Sequence, residues 1–212
     1  MKLYWVKTHM LIKKLFSGFV WDIPGRAKTV YLTFDDGPIP QATPWVLGIL
    51  KEHNIKATFF CIGDNIQKHP DTFRQVIAAG HTIGNHTFNH LNGWNTDNEM
   101  YASNFEKCEG IIQEKYSNRA KLFRPPYGKI KSAQAKALRQ RGYKIIMWDV
   151  LSADFDQTIT PEQCLQNVIN NVANGSIIIF HDSIKASANL RYALPRAIEY
   201  LKQNNYEFGV IT

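Results

Sequence analysis

Apolar and polar positions along this chain follow two periods, and the switches between them mark a succession of short strands and amphipathic helices. Strands are expected at residues 29–34, 57–61, 81–83, 121–124, 144–150, 176–180 and 207–211. Between them lie helical patterns. Thr43 and Pro44 open the first as N-cap and first helical residue, Trp45, Leu47 and Leu50 form its apolar face, and Asn54 stops it. The second starts at Asp71, runs through Phe73, Val76 and Ile77, and closes at Gly80. A longer helix covers residues 97–116, another runs from about Ser132 to Arg141 before Gly142, and Thr160-Pro161-Glu162-Gln163 opens the next with a capping-box pattern. Leu194, Ala197, Ile198 and Leu201 carry the last. Pro125 and Pro126 end the strand at 121–124 because neither can donate to a ladder. The stretch 144–150 is almost wholly apolar, as befits a strand covered on both faces. Strands and helices in strict alternation predict an α/β fold with a parallel sheet, in its simplest form a distorted (β/α)7 barrel with outer helices.

Length and composition keep this within one globular domain. The chain has 212 residues, 44% of them hydrophobic and 20% charged, so a full core can be buried and no long structureless segment is expected. A net charge of +7 gives a basic surface, but the 25 Lys and Arg are scattered with no run of five, and no nucleic-acid motif accompanies them; no nucleic-acid partner is expected. Cys61, Cys108 and Cys164 are odd in number, widely spaced and outside any CxxC pattern, and read as buried thiols in a reducing compartment.

Residues 1–27 form a separate N-terminal segment ahead of a domain at 28–212. Within residues 1–21, Lys2, Lys7, Lys13 and Lys14 interrupt every apolar run before it reaches the length of a secretory signal core or a membrane span. A cytoplasmic location is the corresponding expectation. Two uses of the segment stay open: packing across one end of the domain, or contact with a membrane surface as a basic amphipathic anchor.

Candidate chemistry gathers at strand ends. Thr33-Phe34-Asp35-Asp36-Gly37-Pro38 ends a strand on two adjacent carboxylates; Gly and Pro are ordinary turn residues, but a doubled charge calls for a cation or a proton beside it. His86 and His90, four apart, share a face if their segment takes a helical turn, and two imidazoles with one carboxylate leave coordination positions open for water and substrate. Arg124 to Tyr127, Asp149 to Asp154 and His181-Asp182 also follow predicted strand ends, which in a parallel barrel share one rim. His53 and His81 lack partners and read as structural.

Four of these segments, Thr33-Phe34-Asp35-Asp36-Gly37, His86-Thr87-Phe88-Asn89-His90, Arg124-Pro125-Pro126-Tyr127-Gly128 and Ile179-Phe180-His181-Asp182, resemble in order and spacing the polysaccharide deacetylases, the NodB-homology or carbohydrate esterase family 4 domain. The resemblance spans about residues 28–212. It implies a distorted (β/α) barrel and a metal-dependent hydrolase that removes acetyl groups from N-acetylglucosamine-containing poly- or oligosaccharides. Carried over residue by residue, Asp35 is the catalytic base and Asp36, His86 and His90 hold a divalent metal, zinc first, with cobalt or manganese as alternatives. Arg124 orients and charge-pairs Asp35, Pro126 and Tyr127 line the acetyl and oxyanion site, and His181 is the general acid.

One motif departs from the pattern. The family's Asp-x-x-Asp-Trp after the fifth strand is Leu151-Ser152-Ala153-Asp154-Phe155 here, so the first Asp, which orients the general-acid histidine, is missing. Asp149, Asp154 and Asp182 are the candidates to replace it. Trp148 and Phe155 are candidates for an apolar wall at the acetyl or sugar face. Two other readings follow from parts of the set: a carbohydrate-binding protein of the same fold with weakened catalysis, suggested by Leu151, and a two-His-one-carboxylate iron oxygenase, compatible with the ligand types alone. The particular glycan and the oligomeric state are not fixed by the sequence.

Overall fold

The sheet is built outward from β1 (Thr29–Asp35), whose alternate residues Val30, Leu32 and Phe34 are buried in the main core. A computed structural model describes residues 4–25, 27–116 and 120–212. In chain order they form α1 (Met10–Leu15), β1, α2 (Thr43–Glu52), β2 (Thr58–Cys61), α3 (Gly63–Lys68), α4 (Pro70–Ala78) and β3 (Thr82–Asn85). Next come α5 (Asn98–Lys115), β4 (Leu122–Phe123), α6 (Ser132–Gln140), β5 (Lys144–Ile145), β6 (Val150–Leu151), α7 (Pro161–Ile169), β7 (Ile177–His181), α8 (Ser187–Gln203) and β8 (Glu207–Gly209). All pairings between these strands are parallel, in the order β5-β4-β3-β2-β1-β7-β6, with β8 beside the first half of β1. The result is the distorted parallel barrel with outer helices that the alternating pattern predicts. Phe34 stacks between Phe59 of β2 and Phe180 of β7, with ring centroids 4.9 and 6.2 Å away, so the central strands share one aromatic layer.

Helix starts follow local chemistry. Asp97 accepts from Met100 N–H, and Thr160 with Gln163 makes both halves of a capping box. Several expected boundaries move by one to three residues: α2 begins at Thr43 with Ala42 as its N-cap, α4 begins at Pro70, and β8 stops at Gly209 rather than 211. Helix α3 was not expected; it is six residues long and has no side-chain cap, so it left no signal.

The strand expected at 144–150 is two short strands. Its first residues pair with β4 and its last with β7, so this one run spans the two ends of the sheet. Between them the N-terminal segment enters: Val20 N–H donates to Ile145 O at 2.8 Å and Met147 N–H to Val20 O at 2.7 Å. Lys7 bridges to Val150 and Asp22 to Ser176, both antiparallel. Under this contact Asp149 is buried and accepts from Lys7 Nζ (2.6 Å), Lys13 Nζ (2.5 Å) and Ser176 Oγ (2.5 Å). Burial works to raise the Asp149 pKa, but the two ammonium groups and the serine prevail and hold it below the usual carboxylate range. Asp149 thus fastens the segment and does not reach His181. Cys61, Cys108 and Cys164 are all buried, as expected of core thiols. Among the described residues no helix is long and apolar enough to cross a membrane.

Candidate active site

The C-terminal ends of β1, β3, β4 and β7 bring the sequence-predicted clusters to one rim, as a parallel barrel requires. Asp35 and His181 are register partners on adjacent strands. Beyond β1 the chain turns at Asp36, which has φ 79°, and Gly37 follows because a Cβ there would collide with the Asp182 carboxylate.

His86 and His90 meet, but not through a helical turn. His86 lies just past β3, and the loop after it passes through left-handed conformations at Thr87 (φ 62°) and His90 (φ 55°). A β-branched residue in that region is strained, and neighbouring groups hold it. Thr87 N–H donates to Asn85 Oδ1 (2.8 Å), Leu91 N–H to Thr87 Oγ1 (3.1 Å), and Phe88 and Asn89 N–H to Asn104 Oδ1 (2.8 and 3.0 Å). The imidazole centroids end 5.0 Å apart. Asn85 and Asn104 were not legible as site residues: Asn85 ends β3 just before His86 and Asn104 lies on α5, and a side-chain amide carries no chemical signal of its own. Five of the seven non-glycine residues with positive φ among the described residues (Asp36, Thr87, His90, Tyr127 and Ala153) lie in the rim loops, a concentration of backbone strain that marks a functional edge.

Asp36, His86 and His90 each turn one ligand atom to a common point, all within 4.8 Å of one another. His86 Nδ1–H donates to the Arg124 carbonyl at 2.7 Å, which fixes the tautomer and leaves Nε2 with its lone pair facing Asp36 Oδ1 at 3.8 Å. His90 Nε2 lies 3.3 Å from the same oxygen, and its Nδ1 pairs with the Tyr127 hydroxyl at 3.1 Å. Burial lowers the pKa of both imidazoles, His86 well below the ordinary value, so both stand neutral. Asp36 Oδ1 is buried and accepts no hydrogen bond. An orphaned carboxylate oxygen between two neutral imidazole nitrogens fits a divalent cation of the zinc class, since each atom is a deprotonated donor with nothing else to satisfy it.

Asp35 faces this cluster from beside it. Its Oδ2 is 3.8 Å from His86 Nε2, and its Oδ1 accepts from Arg124 Nη1 at 2.7 Å. Arg124 is fully buried, and each donating nitrogen has a partner: Nη1 also donates to Thr33 Oγ1 (2.8 Å), Nη2 to Met147 O (2.9 Å) and Nε to Ile146 O (3.2 Å), while the guanidinium lies 4.2 Å over the Phe60 ring. A charge so enclosed is stable only with Asp35 opposite it. Pro126 is buried behind Tyr127, which has φ 59° and an exposed ring 4.5 Å from that of His90.

The replacement for the missing aspartate is Asp154. Ala153, at φ 59°, turns the loop after β6 so that Asp154 Oδ1 meets His181 Nδ1 and Oδ2 accepts His181 N–H, both at 2.7 Å. Burial works against the imidazolium, but the Asp154 charge and hydrogen bond, with Asp36 and Asp35 behind them, push His181 up to about 9. Phe155 stands edge-on to His181 at 5.1 Å. The other two candidates are corrected. Asp149 belongs to the N-terminal junction, and Asp182 points the opposite way, accepting from Thr43 Oγ1 (2.5 Å) and Gly37 N–H (3.0 Å); burial pushes Asp182 up to about 8 despite these bonds. Leu151 packs in the barrel core. His81 is buried against Phe59 and accepts from Ala57 N–H, consistent with a structural role.

Residues 22–146 match the family model described as polysaccharide deacetylase. A peptidoglycan-N-acetylglucosamine deacetylase of Bacillus cereus is 34% identical over 208 residues, covering 96% of this chain and 97% of its own. A solved structure of the Bc1960 peptidoglycan N-acetylglucosamine deacetylase superposes with a TM-score of 0.88 at 31% identity, covering 96% of this chain and 95% of that one. A CE4 family pseudoenzyme from Bacillus anthracis superposes with a TM-score of 0.81 at 26% identity over 90% of this chain and 66% of that one.

Proposed function

This chain belongs to the polysaccharide deacetylase family, and from that premise we propose that it hydrolyses the acetamide of N-acetylglucosamine units in a poly- or oligosaccharide, using a divalent metal held by Asp36, His86 and His90. When bound, the metal supplies Lewis acidity to the acetyl carbonyl and acidity to an attacking water. The remaining work falls to the chain's own groups. Asp35, held by Arg124, accepts the proton of the attacking water. The backbone N–H of Tyr127 donates to the tetrahedral oxyanion, since Pro125 and Pro126 have none to give. His181, kept protonated by Asp154, delivers a proton to the departing sugar amine.

The observation that carries this reading is the pairing of unlike partners across β1 and β7. Asp35 is coupled to a cation and His181 to an anion, on register partners that flank the three-ligand cluster. An iron oxygenase has no use for that acid and base pair. Glycan binding with weakened turnover keeps one point in its favour, Leu151 in place of the usual aspartate, and the Asp154–His181 contacts weigh against it. Acetate release from N-acetylglucosamine oligomers and peptidoglycan, measured before and after chelation and on re-addition of zinc, cobalt or manganese, tests the proposal. Loss on chelation and recovery with metal is expected. Glycan binding with no acetate from any substrate, and indifference to His181→Ala, would favour the weakened form.

A further inference from the structure

The partner of His181 stands on a loop, and that loop is gripped from two sides. Asp154 carries both contacts to His181, so their geometry depends on the path of residues 152–158 beyond β6. Ala153 lies there at φ 59°, a left-handed conformation that a residue with a Cβ keeps only where its neighbours enforce it. Within the loop, Asp156 N–H donates to Ala153 O (3.0 Å), and Asp156 Oδ1 accepts from Thr158 N–H (2.9 Å) and Thr158 Oγ1–H (2.6 Å). From α8, Asn189 Nδ2–H donates to the carbonyls of Asp154 (3.1 Å) and Asp156 (3.2 Å).

The other grip comes from the N-terminal segment. Leu151 N–H donates to Val6 O at 2.8 Å, which lays the segment along β6 just before the loop begins. Two residues upstream, Tyr4 reaches the loop itself. Its hydroxyl donates to Asp156 Oδ2 at 2.5 Å, and its ring meets Phe155 edge-on, with centroids 5.6 Å apart and planes at 70°. Phe155 in turn stands edge-on to His181. Tyr4 thus holds the two residues that follow Asp154, one through its ring and one through its hydroxyl. Burial, and then the Asp156 carboxylate, raise the Tyr4 pKa above its ordinary value, so the hydroxyl keeps its proton and stays the donor.

We propose that Tyr4 is a positioning residue for the general acid: from the N-terminal segment it fixes the loop that aims Asp154 at His181. Without it, Phe155 and Asp156 lose their outer support, and the Asp154 carboxylate no longer dwells in the one orientation that serves both His181 contacts. The segment then serves proton delivery as well as bracing the barrel. The reaction it serves rests on the deacetylase reading above; the placement of the His181 ring does not.

The test compares two leaving groups on the metal-loaded protein. A sugar amine leaves only when protonated, whereas the nitrophenolate of 4-nitrophenyl acetate departs as the anion and needs no acid. His181→Ala sets the scale and is expected to lose at least about a hundredfold more on the N-acetylglucosamine pentamer than on the ester. Tyr4→Ala is expected to lower kcat for the pentamer about tenfold with KM within about twofold, and to leave ester turnover within about twofold; Tyr4→Phe, which keeps the ring contact, should lose about threefold on the pentamer. Equal losses on both substrates in Tyr4→Ala, as misfolding or a damaged metal site would give, or no loss on the pentamer, would overturn the proposal. A second readout needs no turnover. The downfield proton resonance of His181 Nδ1–H, bonded to Asp154, is expected to be sharp in the parent and broadened or shifted in Tyr4→Ala. An unchanged resonance would overturn the positioning role; a changed one in a protein that releases no acetate supports that role and counts against the deacetylase reading.

Discussion

Asp154→Asn offers a quantitative handle on the general acid. Asparagine keeps the shape and can still accept the His181 N–H bond, so the change removes charge rather than position. With Asp154 ionised, His181 is held at about 9, against an ordinary value of 6.5. The variant lowers it toward that ordinary value, because burial then acts with less opposition. At pH 8 the protonated fraction falls from about nine-tenths to about three in a hundred, a loss of roughly thirtyfold in any rate that needs the acid. At pH 6 both forms are mostly protonated, and the corresponding loss is below about twofold. The sign follows from a raised histidine: the protonated form, and the stability it contributes, is complete below the ordinary value and disappears as pH rises through about 9. The assay is a pH profile of acetate release for parent and variant from pH 5.5 to 9.5. The alkaline limb is expected to move down by more than two pH units. Equal losses at pH 6 and 8, with the limb still near 9, would refute the assignment of Asp154 to the protonation of His181.

Other expectations follow from the same contacts. Arg124→Met leaves Asp35 as an unpaired buried charge and is expected to destabilise the fold by about 3–5 kcal/mol in urea titrations; a change under about 1 kcal/mol would contradict the closed network around it. His90→Ala removes one of three donors and should weaken zinc binding by more than about a hundredfold in competition with a chromophoric chelator, whereas Tyr127→Phe, which removes a partner of His90, should weaken it by about ten- to a hundredfold. Asp149→Asn should destabilise by about 3 kcal/mol near neutrality by loosening the N-terminal segment. Because the Asp149 pKa is depressed, that difference is complete above the ordinary carboxylate value and is lost progressively as pH falls through the depressed one; a difference that does not shrink at all between about pH 7 and about pH 2.5 would argue against the ion pairs.

The sequence was informative where a residue's own chemistry decides its surroundings. Apolar runs located β1, β2 and β7 to within a residue or two, and the acids and histidines that follow the strand ends reached one rim because parallel strands leave them no other place. It was silent where a distant segment decides. Residues 144–150 form one apolar run, and only the insertion of Val20 beside Ile145 and Met147 divides it. The convergence of His86 and His90 depends on left-handed backbone at Thr87 and His90, held by Asn104 from another helix, so four-residue spacing suggested the right pair through the wrong geometry. Among Asp149, Asp154 and Asp182, only backbone direction distinguishes the partner of His181: the turn at Ala153 aims one carboxylate at it, while Lys13 and Thr43 engage the others.

The central claim divides two adjacent carboxylates, Asp36 for the metal and Asp35 for the proton, and one measurement bears on it directly. Acetate release from the N-acetylglucosamine pentamer is followed for the parent, Asp35→Asn and Asp36→Asn, with bound zinc determined on the same samples. The account predicts turnover and one zinc per chain in the parent, one zinc and at least about a hundredfold less turnover in Asp35→Asn, and loss of both in Asp36→Asn. Full turnover by Asp35→Asn, or a parent that holds its zinc and releases no acetate from any N-acetylated glycan, would contradict it.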